Sequence, residues 1–198
     1  MAEVELPNPK ELHEQAEDRF GRRVALVTAV FAVILSISSL GGNNATKEML
    51  LAQQKSSDQW TFYQAKVIRE HLYRAQKQRV EVDLLERGAA LRPEVREKLE
   101  ALAKKWDEEE KRYNAEKKDI EKDAKKLEGV RDLSATRDPY FDLAEVFLQI
   151  AIVMSSVSIL SRSRPVFYFS LLLAVVGTTL TFNGYFLFFQ LPWLHEGH

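Results

Sequence analysis

Apolar and polar positions divide this chain into blocks before any motif is sought. Residues 24–42 are apolar or small throughout. Residues 143–160 are nearly so, interrupted by Glu145 and Gln149, and residues 166–189 form the longest apolar run. Each approaches the ~20 residues a helix needs to cross the hydrocarbon core of a bilayer. A long polar stretch rich in helix formers separates the first run from the second. The pattern predicts an all-α membrane protein: three transmembrane helices, with a long antiparallel coiled-coil helical hairpin inserted between spans one and two. The expected boundaries are a polar N-terminal tail over 1–23, transmembrane helices over 24–42, 140–161 and 165–190, an extramembrane hairpin over 43–139, and a C-terminal tail over 191–198.

Proline and glycine punctuate the helices. Asn8 or Pro9 can open a helix through residues 10–23. A single helix is expected from span one through to about Arg87, with Gly41-Gly42 the place for a bend, and Gly88 with Pro93 marks a turn. A second helix is predicted from Pro93 to Leu127, capped by Gly129, with residues 130–139 as a linker into span two. In that helix Leu99, Trp106, Tyr113, Ile120 and Leu127 recur every seven residues, extended by Leu102 and Ala124. Such a repeat implies a left-handed coiled-coil seam. The companion positions Glu109, Glu116 and Asp123 are charged, so the stripe is narrow. Tyr63, Val67, Ile68, Leu72, Ala75, Val82 and Leu85 are the expected opposing face.

Small residues recur at spacings of four and three in every apolar run: Ala25, Ala29, Ala32, Ser36 and Ser39; Ala144, Ala151, Ser155 and Ser158, with Leu148 between; and Ser170, Ala174, Gly177, Thr181 and Gly184. Helices in lipid associate where small side chains let backbones approach, so the stripes predict a packed bundle. Carried past Gly42, the first stripe meets Asn43, Thr46, Leu50, Gln53, Ser57, Trp60, Gln64, Val67 and His71, mostly uncharged hydrogen-bonding residues. A solvated face would be rich in Lys and Glu. Asn43, Gln53, Ser57, Trp60, Tyr63, Gln64, Trp106 and Tyr113 are therefore interface candidates, either between copies or within the hairpin.

The runs 43–51 (NNATKEMLL) and 57–66 (SDQWTFYQAK) resemble the hallmark of a bacterial membrane family known as domain of unknown function 4337. Residues 147–152 (FLQIAI), the arginine-containing reversal after them and the arginine pair before span one are similar too. The resemblance implies a bacterial membrane location and no established activity, and it supplies no catalytic residues.

Charge refines the picture. The net charge is −1, and residues 43–139 hold 22 of the 28 Lys+Arg and 20 of the 29 Asp+Glu, a balanced polyampholyte that points to no nucleic-acid partner. Arg19, Arg22 and Arg23 precede span one, and Arg162 and Arg164 lie between spans two and three. The positive-inside rule places these in the cytoplasm and the hairpin outside, in the periplasm of a Gram-negative host. The first run is longer than a signal-peptide core and lacks a small-x-small site, so a retained anchor is expected.

Candidate chemistry is sparse. Cysteine is absent, which excludes disulfides and thiolate chemistry. His13 lacks the second histidine of a zincin helix, and His195 with His198 is short of a full metal site. No phosphate-binding glycine loop or nucleophile elbow is present. No enzyme activity, cofactor or metal is expected. Glu145, Gln149 and Asn183 are the polar candidates within the spans; an intramembrane carboxylate is by default a functional hypothesis, and a place near the headgroups is the alternative for Glu145. Trp193, after Pro192, suits an interfacial anchor. The expected function is an oligomeric inner-membrane scaffold or interaction protein with projecting coiled-coil hairpins, contacting lipid, further copies of itself and a protein partner on the hairpin. The alternative is an ion or small-solute channel or transporter component using Glu145 and the polar seam.

Overall fold

The computed structural model describes residues 9–190, with side chains from residue 19 onward. Trp193, His195 and His198 lie outside the described residues, and the His13 side chain outside the described side chains. Within them the chain is helical, with no strand. Helix α1 spans Pro9–Arg87, α2 spans Pro93–Leu160 and α3 spans Arg164–Phe186. Each contains a stretch long and apolar enough to cross a membrane. Pro9 opens α1, where its fixed φ and missing N–H suit the first turn. The Gly88–Pro93 turn forms as expected: the Gly88 amide donates to Leu84 O (2.9 Å), the Ala90 amide to Arg87 O (2.9 Å), and Pro93 begins α2.

The expected linker over 130–139 is not found. Helix α2 runs unbroken through Gly129 and Pro139. An interior glycine costs about 1 kcal/mol and an interior proline about 3 kcal/mol. The reason they are tolerated lies in the packing beyond them. Ser134, Phe141, Leu148 and Ser155 repeat the seven-residue spacing of residues 99–127, and all four are buried. Helix α1 likewise passes through Gly41 and Gly42.

The chain forms two compact units. One joins the residues up to Glu48 with those from Leu133; the other is Met49–Asp132. In the first, Phe31, Leu148, Ala151 and Ala174 form one core cluster, and Tyr140, Ala144 and Leu180 a second. The small-residue stripes of α2 and α3 face inward as expected: Ala144, Ala151, Ser155, Ser158, Ser170, Ala174, Gly177, Thr181 and Gly184 are buried. Close approach explains the glycines. A β-carbon on Gly177 would lie 2.8 Å from Leu148, and one on Gly184 would lie 2.9 Å from the Phe141 ring. Gly41 faces the same ring, so this pair of glycines admits Phe141 where a bend was expected. Hydroxyls bond across the helices: Ser155 Oγ and Ser170 Oγ are 2.9 Å apart, and Thr181 Oγ1 donates to Ser38 Oγ (3.2 Å).

The stripe of α1 is the exception. Ala25, Ala29, Ala32 and Ser36 are exposed and Ser39 is half-buried; α1 packs instead through Val24, Phe31, Ser38, Gly41, Gly42 and Ala45. Phe141 packs against Gly41 and Gly42, and Phe31 joins Leu148, Ala151 and Ala174; these contacts turn the stripe outward. At one end of this unit the Phe20 ring meets Phe167 edge-on (6.0 Å, 86°), bringing Phe20 of α1 against the first turn of α3. The reversal there is tight: Arg162 is left-handed, and the Ser163 amide returns to Ser158 O (3.1 Å).

In the second unit the helices run antiparallel. Ser56 reaches Ala124 O (3.5 Å), Lys66 pairs with Glu116, Arg74 with Glu110 (2.7 Å) and Lys77 with Asp107 (2.7 Å). The inward face of α1 here is Ala52, Ser56, Glu70 and Val80. The predicted opposing face is thereby corrected. Tyr63 and Val67 are half-buried, but Ala75 is exposed and Ile68 (68%), Leu72, Val82 and Leu85 (85%) stand largely in solvent.

Candidate functional site

The interface candidates separate into two groups. Trp60, Tyr63, Trp106 and Tyr113 turn inward within Met49–Asp132. Trp60 Nε1 donates to Glu128 Oε1 (2.8 Å), and its ring meets Tyr63 edge-on at 5.4 Å. Tyr113 is buried, stacked on Tyr73 (5.6 Å, 9°) and flanked by Lys66 and Arg112 at 5.0 and 4.9 Å. Trp106 is half-buried. Asn43, Gln53, Ser57 and Gln64 are exposed. Asn43 Nδ2 donates to Ser39 O (2.8 Å), and Gln53 Oε1 accepts from Arg131 (2.9 Å).

Of the polar groups in the apolar segments, two come together and one does not. Glu145 and Gln149 line an open groove of about 480 Å³ with Ser36, Ser39 and Asn43. The groove thus joins two candidates from α2 to the uncovered stripe of α1. Asn183 is buried elsewhere and forms a clasp: its Nδ2 donates to Phe189 O (2.8 Å) and its Oδ1 accepts from the Phe189 amide (3.0 Å). It holds the chain as it leaves α3, whose last turn is closed by the Leu187 amide on Asn183 O (2.7 Å).

A charged cluster escaped the sequence reading. Glu70 is only 1% exposed. Its carboxylate accepts from Lys117, from Asn114 (3.0 Å) and from Arg74 (2.8 Å). Arg74 continues to Glu110, and Lys77 bridges Glu110 and Asp107. Burial alone pushes the Glu70 carboxyl up, but the hydrogen bonds from Lys117 and Asn114 with the charges of Lys117 and Arg74 outweigh it and hold it below its ordinary value. Hydrogen bonds from Lys111 and Lys77 hold Asp107 at about 2. Each carboxylate is matched by cations, so the arrangement locks register rather than leaving a free acid or base. Its sequence signal was the seven-residue spacing of Ser56, Tyr63, Glu70, Lys77 and Leu84, hidden because Glu and Lys look solvated.

Among the described residues no group of His, Asp and Glu is placed to hold a metal. No curated protein and no solved structure is significantly similar to the chain. The family described as domain of unknown function 4337 matches residues 20–187, which include all of α2 and α3 and the greater part of α1. The chain belongs to that family.

Proposed function

We propose that the protein is a homo-oligomeric scaffold of the bacterial inner membrane. In this reading the three apolar segments span the bilayer, and residues 49–132 form a coiled-coil hairpin that offers a surface to other proteins. The supporting observation is the uncovered stripe of α1. Helices α2 and α3 bury their small residues, whereas Ala25, Ala29, Ala32 and Ser36 remain exposed. At the Ser36 end of the stripe the surface carries Asn43, Glu145 and Gln149. Lipid satisfies none of these polar groups, and small residues are where membrane helices pack. A second copy, presenting the same stripe in the same bilayer, covers both.

The natural absence of cysteine makes a direct test clean. Ala32→Cys and Ser36→Cys are expected to give disulfide-linked dimers in membranes under mild oxidation. Val33→Cys and Leu26→Cys, on the exposed bulky face, are expected to stay monomeric. Equal cross-linking at all four positions, or a monomeric mass by native mass spectrometry in nanodiscs, overturns the reading.

The groove itself supports a second reading, a solute or ion path with Glu145 at its wall. Glu145→Gln and Glu145→Ala in a liposome flux assay decide it. Flux that falls in both variants with assembly intact favours a path; absence of flux in all three forms dismisses it.

A further inference from the structure

A cavity of about 370 Å³ sits where α1 enters its apolar segment beside the start of α3. Arg19, Arg23 and Arg164 line it, together with Phe20, Phe167 and Tyr168. Among its described lining residues none is acidic, and three guanidinium groups share the space. The three come from two helices and two distant parts of the sequence. The Phe20–Phe167 edge contact holds those helices together beneath them. The first turn of α3 adds to the field: Ser163 provides no side-chain cap and Pro165 follows, leaving the positive end of the helix uncompensated. The size falls within the range of roughly 300–1,000 Å³ usual for ligand sites. Forked donors suit phosphate oxygens, and aromatic rings at this level suit the interface between headgroups and acyl chains.

We infer that this cavity binds a phosphate group, carried by an acidic phospholipid at the same end of the spans as the arginine collar. The inference rests on the membrane-spanning reading but not on the oligomeric one. The guanidinium groups take the phosphodiester oxygens, and the rings pack along the glycerol and upper acyl carbons. Zwitterionic lipids bring a cationic amine into a space that already holds three cations and are therefore disfavoured.

The test is native mass spectrometry of the full chain released from nanodiscs, titrated with phosphatidylglycerol or phosphatidylcholine of matched acyl chains. Binding is read per chain, so monomers and oligomers report equally. Phosphatidylglycerol is expected to bind at least about tenfold more tightly. Arg19→Gln, Arg23→Gln and Arg164→Gln should each weaken it about tenfold or more, the loss of one charge-assisted hydrogen bond to phosphate. Arg22→Gln, which removes a charge next to the cavity but outside its lining, should change it less than twofold. Circular dichroism and elution volume verify that the variants remain folded. Equal binding of the two lipids, or an Arg22→Gln effect as large as that of Arg23→Gln, overturns the site in favour of a diffuse basic collar. A competition arm with inorganic phosphate separates the two sources of the group. Failure of low-millimolar phosphate to displace the lipid supports the lipid assignment, and full displacement overturns it in favour of free phosphate. Flotation with neutral vesicles independently reports membrane insertion, so failure there is distinguishable from failure of the site.

Discussion

Gly129 and Gly177 both stand inside helices, yet a β-carbon would meet open space at the first and Leu148 at 2.8 Å at the second. The substitutions should therefore have opposite signs. Gly129→Ala is expected to stabilise α2 by about 0.5–1 kcal/mol, because alanine loses less backbone entropy on forming a helix. Gly177→Val is expected to destabilise by about 1–3 kcal/mol through overpacking against Leu148 and the Ala144 carbonyl. Unfolding followed by circular dichroism in one detergent compares the two directly. Glu70 gives a further contrast. Glu70→Ala leaves Lys117, Asn114 and Arg74 without their shared acceptor and should cost about 2 kcal/mol. The exposed Glu81→Ala should stay within about 0.5 kcal/mol of the parent in the same measurement.

At the scale of the helices, α1 carries several faces and packs through one of them. Its inward face in Met49–Asp132 carries the ion-paired Glu70 beside Ala52, Ser56 and Val80, while Ala65, Ile68, Leu72 and Ala75 recur at spacings of three and four on the exposed side, with Val82 seven residues further on. Stability of this unit therefore leans on charges, and its pH dependence follows. Hydrogen bonds and cations lower the carboxyls of Glu70, Asp107, Glu110 and Glu116 in the folded state. A lowered folded value means that the stabilisation is complete above the unfolded carboxyl range near about 4 and drains away as pH falls toward the folded values. For Asp107 that limit is about 2. Thermal melts of the full chain between pH 6 and pH 2 should show stability nearly level down to about 5, then declining steadily to about 2. A profile that rises on acidification contradicts the ion-paired face.

At the scale of the whole molecule, orientation is the next quantity to fix. Arg19, Arg23 and Arg164 gather at one end of the three-helix unit, and the positive-inside rule sends that end to the cytoplasm. The orientation proposed above carries residues 49–132 out of the cytoplasm. Lys104 and Lys105 are both exposed, so trypsin added to sealed spheroplasts should cut there and leave the N-terminal arginines intact. Protection of Lys104-Lys105 until the membrane is opened reverses the orientation without disturbing the fold.

Much of this architecture was legible along the chain because it is periodic or local. Three apolar runs, the Gly88–Pro93 turn, the seven-residue stripe of α2 and the small-residue stripes of α2 and α3 follow from residue type and spacing, and all reappear in the structure. What tertiary packing alone decided is which of several acceptable faces is used. The spacing of α1 permits a small-residue face and a face through Val24, Phe31 and Ser38; only the bulk of Phe141 and Leu148 on the neighbouring helix selects the second. Continuity of α2 through Gly129 and Pro139 has the same origin, since local propensity argues for a break and distant burial overrules it. Glu70 reads as an ordinary surface charge until Lys117, Asn114 and Arg74 are seen to surround it. The amino-acid order by itself determined the apolar runs, the turn and the stripes, because these depend on residue type and near neighbours. It leaves the choice among faces to residues a hundred positions away, because a face is buried only when another surface fits it.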